Sequence, residues 1–196
     1  LHKINIDKVF APPVKWNTEK LDTQYSFWTG GDNAFLAFQG SFSLTDWIFN
    51  LMFFPIYRKY YFHYGIYKKY EVLEDKIIKF INENYDKNIY FTGYSQGAGI
   101  ALIAFILMKS KYPKINMKAD LFGCPKILNL ISVFSLHSLS QYINLYEVQT
   151  DIVTKIVPWN LRLGTIRKLG TKKPIWKWKI KDHYPSTYKE FYNGYI

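Results

Sequence analysis

The sequence predicts an α/β fold: a central, mostly parallel sheet with flanking helices. Three observations carry this. Short apolar runs alternate with helical patterns along most of the chain, as βαβ units require. The run Ala34-Phe35-Leu36-Ala37-Phe38 is continuously apolar, as a strand buried on both faces is. Residues 89–101 read as an apolar strand, a glycine-bounded turn and a small-residue helix in direct succession.

Taken in order, residues 1–20 contain Pro12-Pro13 and little periodicity, so residues 1–22 are expected to form an N-terminal extension packed over one domain spanning 1–196. Two β-prone runs, 23–28 and 33–39, flank Gly30-Gly31-Asp32 and predict a hairpin. The stretch 43–56 places Leu44, Trp47, Ile48 and Leu51 at helical spacing behind Ser43, a suitable N-cap. It is too apolar for an exposed loop, so it is either a core helix or a lid whose greasy face covers a pocket.

Residues 57–64 are dense in aromatics, with Arg58 and Lys59 among them. Ile66, Tyr70, Leu73, Ile77, Phe80 and Ile81 then mark a long amphipathic helix over 65–84. Strands are predicted at 118–123 and 143–148, with a helix over 127–139 between them. Residues 161–167 and 175–180 suggest a late hairpin about Gly170, with Trp176 and Trp178 on one face. Residues 182–185 form a loop and 186–192 a closing helix.

The chain's 196 residues are 48% hydrophobic and 19% aromatic, which excludes a disordered or fibrous protein. A net charge of +11 favours anionic surfaces, lipid or nucleic acid. The charge is spread along the chain, rising at 162–181 without a dense arginine block, so it reads first as a solvated basic face. A lone Cys124 excludes an intramolecular disulfide and leaves the compartment open. No run approaches a membrane span and no signal peptide is visible, although the chain starts at Leu1 rather than Met. No His, Cys and Asp cluster has ligand spacing, so neither metal nor cofactor is implied.

Gly93-Tyr94-Ser95-Gln96-Gly97, between strand and helix, has the context of a nucleophile elbow. The bend would lift the Ser95 hydroxyl clear of the sheet and aim the first helix amides, starting at Gln96, toward an oxyanion beside it. Serine attack also needs a base and a carboxylate that orients the base. Of four histidines, His2 lies in the leader and His63 and His137 precede Asp151, while His183 follows it. The chain order Ser…Asp…His of α/β-hydrolases selects Ser95, Asp151 and His183.

Several separated blocks then resemble the class 3, fungal-type (Rhizomucor-like) triacylglycerol lipase family, over residues 34–192. Ala37-Phe38-Gln39-Gly40-Ser41-Phe42-Ser43 is similar to its oxyanion strand, and Asp46-Trp47-Ile48-Phe49-Asn50-Leu51 to its lid helix. His63-Tyr64-Gly65-Ile66, Thr92-Gly93-Tyr94-Ser95-Gln96-Gly97-Ala98 and Phe122-Gly123-Cys124-Pro125-Lys126 match in order. So do the blocks starting at Thr150-Asp151 and at Asp182-His183.

The resemblance implies an α/β-hydrolase with Ser95 as nucleophile, His183 as general base and acid, and Asp151 as orienter. It implies an oxyanion hole from the amides of Ser41 and Gln96, with the Ser41 hydroxyl helping, and a structural role for His63. It turns 43–56 from core helix to lid, with Trp47, Ile48, Leu51, Phe53 and Phe54 over the acyl groove. The chain departs from the pattern at three residues and in a short interval from Asp151 to His183. Tyr94 stands for the usual His, Gln96 for Leu, and Gln39 for Arg.

The expected activity is therefore a serine carboxylester hydrolase acting on acyl lipids at a membrane or lipid-droplet interface, soluble or peripheral there. Within enzymes the alternatives are a phospholipase A1, favoured by the basic residues, and a cutinase-like esterase, favoured by the elbow. From another class, the alternative is a non-catalytic lipid- or nucleic-acid-binding protein on the same fold.

Overall fold

The computed structural model describes residues 12–40, 55–155, 161–171, 174 and 178–193. Among these, one sheet holds seven strands: β1 (Asn17–Glu19), β2 (Thr23–Gly30), β3 (Asn33–Phe38), β6 (Asn88–Tyr94), β7 (Met117–Phe122), β8 (Ile143–Val148) and β9 (Thr165–Leu169). They lie side by side in that order. A separate two-stranded ribbon pairs β4 (Pro55–Tyr57) with β5 (Tyr61–His63). The helices are α1 (Tyr64–Glu83), α2 (Gln96–Lys111), α3 (Leu130–Ser135) and α4 (Pro185–Asn193).

The expected hairpin is β2–β3, antiparallel, with Gly30 opposite Asn33 and Gly31 turning the chain at φ +56°. From β3 onward every neighbour in the main sheet is parallel. Residues 17–19, within the expected extension, pair with β2 and lengthen the sheet at its edge.

Side chains alternate between two cores. Leu36, Phe38, Phe91 and Leu121 pack beneath α1 and α2, whereas Phe35, Tyr90, Tyr94, Phe122 and Tyr146 pack on the face that α4 covers. Two-sided burial is why β3 and β6 carry so little polar alternation. α2 is apolar all round because the sheet covers one side and α1 the other. The α1–α2 approach is close: a Cβ at Gly99 would stand 2.9 Å from Ile66 Cδ1. α1 buries Ile66, Tyr67, Tyr70, Leu73, Ile77 and Ile81, the stripe its periodicity predicts.

One expectation changes. The helix over 127–139 is only α3, followed by a 3₁₀ turn at His137–Tyr142. Its start is set by Asn129, whose side chain accepts from the Ser132 N–H at 2.9 Å, while Leu128 is drawn into bridges with Phe62 and Leu161. The expected hairpin about Gly170 is described in full only in its first run. β9 joins the open edge of β8 in parallel, and Asn144 faces Thr165. Of the second run, residues 175–177 lie outside the described ones; Lys179 bridges to Asp151. The end of β8 is tied down by buried Glu147, which accepts from Thr154 Oγ1 at 2.5 Å and from Arg162 at 2.7 Å, and from Lys155.

Candidate active site

The elbow forms where the sequence places it. β6 ends at Tyr94, α2 begins at Gln96, and Ser95 between them has φ 56° and ψ −123°. This is a costly conformation for a residue with a Cβ, about 1–3 kcal/mol, and it must be imposed by its surroundings. The Ser95 N–H donates to the Phe122 carbonyl of β7 at 2.9 Å. The flanking glycines let backbone meet backbone. A Cβ on Gly93 would run into Gly97, and one on Gly97 would run into the carbonyl end of Phe38 on β3. α2 can therefore press its N-terminus onto the carboxyl ends of β3 and β6.

Asp151 lies just past β8 and His183 in a 3₁₀ turn (Ile180–His183) before α4. The structure brings all three side chains together. His183 Nε2 is 2.8 Å from Ser95 Oγ, and His183 Nδ1 is 2.6 Å from Asp151 Oδ2. The imidazole thus bridges hydroxyl and carboxylate, with Nδ1–H donating to Asp151 and Nε2 accepting from Ser95. Asp151 and His183 are fully buried and Ser95 exposes only 2% of its surface.

The carboxylate is held from two further sides. Its Oδ1 accepts from the Val153 N–H at 2.8 Å, and its Oδ2 accepts from the Tyr188 hydroxyl at 2.6 Å. Tyr188, on α4, is itself fully buried. Burial first, and then the Asp151 charge, push its phenol well above the usual tyrosine range, so it stays a donor. Tyr188 falls within the closing helix expected over 186–192, to which the sequence assigns no role. Its position one helical turn and a loop after His183 was the available signal, but only the packing of α4 shows that it reaches Asp151.

Tyr94, the departure just before Ser95, stacks on the imidazole, with ring centroids 5.1 Å apart and planes 28° from parallel. It meets Tyr188 edge-on at 5.8 Å. Burial raises the Tyr94 phenol far above its ordinary value, so it too is neutral here. Gly123, at φ +58°, passes beneath: a Cβ there would stand 3.0 Å from His183 Cε1.

Of the other expected residues, Gln96 is half-buried at the first position of α2, where helix amides have no partner within the helix. Ser41, Trp47, Ile48, Leu51, Phe53 and Phe54 lie outside the described residues. His63 is not in the site. Its Nδ1 accepts from the Ile66 N–H at 3.4 Å and caps α1. Among the described residues no three His, Cys, Asp or Glu side chains gather to hold a metal, and no helix is long and apolar enough to cross a membrane.

A strained serine at a helix N-terminus, hydrogen-bonded to an imidazole that a buried carboxylate orients, can deliver a nucleophilic oxygen to an acyl carbon. The family model for lipase (class 3) matches residues 35–161, more than half of the chain. Among solved structures, the triacylglyceride lipase of Rhizomucor miehei superposes with a TM-score of 0.76 at 17% identity, over 87% of this chain and 78% of that one. Lipase II of Rhizopus niveus gives 0.74 at 20% identity, over 80% and 66%. A triacylglycerol lipase whose catalytic centre is a serine protease triad gives 0.71 at 20% identity, over 80% and 65%. At such identities these likenesses speak for the fold, and the chain is similar to only part of two of these proteins. No curated protein matches by sequence.

Proposed function

The chain belongs to the lipase (class 3) family, and from that premise we propose that Ser95, His183 and Asp151 are the nucleophile, general base and orienting acid of a carboxylester hydrolase for acyl lipids. A triacylglycerol lipase-like serine hydrolase is the activity that family and fold support together. The observation that carries the residue assignment is the unbroken hydrogen-bond line from Ser95 Oγ through His183 to Asp151.

Ser95 Oγ bonds to the ester carbonyl carbon as His183 Nε2 takes its proton. The tetrahedral oxyanion is met by the Gln96 amide and, on the family pattern, by Ser41. The C–O bond to the alcohol then breaks, and His183 returns the proton to the leaving oxygen. Water, deprotonated by the same imidazole, releases the fatty acid from the acyl-enzyme. Each oxyanion donor is worth about 10²–10³ in rate.

Ser95 is 2% exposed, so little of its side chain meets solvent. That supports the reading of 43–56, with Trp47, Ile48, Leu51, Phe53 and Phe54, as a cover displaced at a lipid interface. A short-chain, cutinase-like esterase is a second reading, favoured by the Gly-Tyr-Ser-Gln-Gly elbow. Comparing triolein with tributyrin separates the two.

The test is labelling with a fluorophosphonate in detergent. Wild type should label, Ser95→Ala should not, His183→Ala should label far more slowly, and folded His63→Ala should label normally. A folded wild type that resists the probe would sink the hydrolase reading.

A further inference from the structure

We propose that the protein docks on anionic lipid bilayers through α3 and the β4–β5 turn, a surface apart from the reacting groups. The inference rests on the acyl-lipid reading above and names where, and on which charge of lipid, the molecule sits.

The polarity of α3 is inverted. Surface helices normally turn their apolar side inward. Here Leu130, Ile131 and Phe134 are 54%, 64% and 72% exposed, while Ser132 is 1% exposed. The inversion has a local cause. The outer edge of β5 needs partners, and Ser132 Oγ accepts from the Tyr61 N–H at 2.8 Å and donates to the Tyr61 carbonyl at 3.3 Å. With serine committed inward, Leu130 and Phe134 stand one turn apart with Ile131 beside them, forming one outward face.

The ribbon pinned to this helix adds to the same surface. Tyr57, opposite Tyr61 in the β4–β5 register, is 63% exposed, and the turn between them presents Arg58 and Lys59 to solvent. The carboxylate facing this turn is Glu71, 3.9 Å from Arg58 and held by Lys68 at 2.5 Å. Arg58, Lys59 and Lys68 therefore outweigh it, on a chain of net charge +11. Apolar side chains bordered by tyrosine and flexible cations match a lipid surface, acyl chains below and anionic headgroups above.

The placement also fits. Ser132 ties α3 to the ribbon, and the ribbon runs straight into α1, whose far end leads to the start of β6.

The experiment is cosedimentation of full-length Ser95→Ala protein with vesicles of phosphatidylcholine alone or with about a third phosphatidylglycerol. Binding should be at least about tenfold tighter with phosphatidylglycerol, since each added cation contributes about fivefold. Ile131→Ser with Phe134→Ser should weaken it about tenfold or more. Arg58→Glu with Lys59→Glu should erase the lipid preference. With Ser95 restored, both pairs should hydrolyse a soluble butyrate ester at the wild-type rate.

Equal binding to both vesicles, or binding indifferent to both pairs, overturns the proposal. So does a wild-type dimer that the Ile131/Phe134 pair converts to monomer without loss of vesicle binding, because a second copy is then what the face receives. Vesicle binding as described in a protein that hydrolyses no ester would remove the hydrolase reading and leave this one standing.

Discussion

The Tyr94 ring lies against the His183 imidazole at 5.1 Å, tilted by 28°, so the residue before Ser95 also supports the ring proposed as the base. The phenol ring face is the negative end of its quadrupole, and the proposed mechanism forms an imidazolium above it each time Ser95 loses its proton. Tyr94→Leu should lower kcat on a soluble ester about three- to tenfold with little change in KM, the effect of losing one aromatic contact. Tyr94→Phe, which keeps the ring, should retain more activity than Tyr94→Leu. Equal kcat for wild type and the Leu variant would remove the ring from the mechanism.

Tyr188→Phe deletes the hydroxyl that donates to Asp151 at 2.6 Å and receives the Val148 N–H at 3.3 Å. A buried bond to a charged group contributes about 1.5–3 kcal/mol, so urea unfolding should register a loss of that order. kcat should fall about tenfold as Asp151 loses one of its restraints. Unaltered unfolding together with unaltered kcat would show the contact to be idle.

Gly123→Ala tests how tightly the imidazole is placed. The residue sits at φ +58°, and the added methyl would press on His183 Cε1 at 3.0 Å and on the Tyr188 ring at 3.2 Å. The left-handed backbone costs alanine about 1–2 kcal/mol. Misplacing the base should cost up to about 10²-fold in fluorophosphonate labelling. If labelling drops only in step with the folded fraction, the glycine serves stability alone.

Cys124 is buried, and that burial raises its thiol to about 12, partly offset by Arg162. The native protein should resist a thiol-directed disulfide reagent near pH 8 and react when unfolded in urea. The unfolded chain loses this proton near the ordinary thiol value of 9.0 and the folded chain keeps it to about 12, so above pH 9 the unfolded state binds fewer protons. Stability should decline by about 1.4 kcal/mol per pH unit over that window. Replacing Cys124 by Ala should remove that slope, and its persistence would assign it to other groups.

The fold was legible because its signals are local. Apolar runs, glycines at 93 and 97 and a helical stripe from Ile66 to Ile81 each depend on spacing within one segment. The parallel pairing of β9 with β8 was not legible for the converse reason. Residues 165–169 suit any open edge, and the sequence does not say that β8 offers one.

Sequence alone determined the α/β class, the elbow at Ser95 and the pairing of Ser95 with Asp151 and His183, because chain order and a steric requirement at one turn suffice for these. Tertiary structure decided what supports the imidazole. Tyr94 on the ring face, Tyr188 on the carboxylate and Gly123 at the Cε1 edge come from β6, α4 and the end of β7. It also decided that α3 faces outward, since Ser132 is claimed by a strand edge 71 residues away. Contacts between distant segments depend on how the elements pack, and no spacing within a segment encodes that.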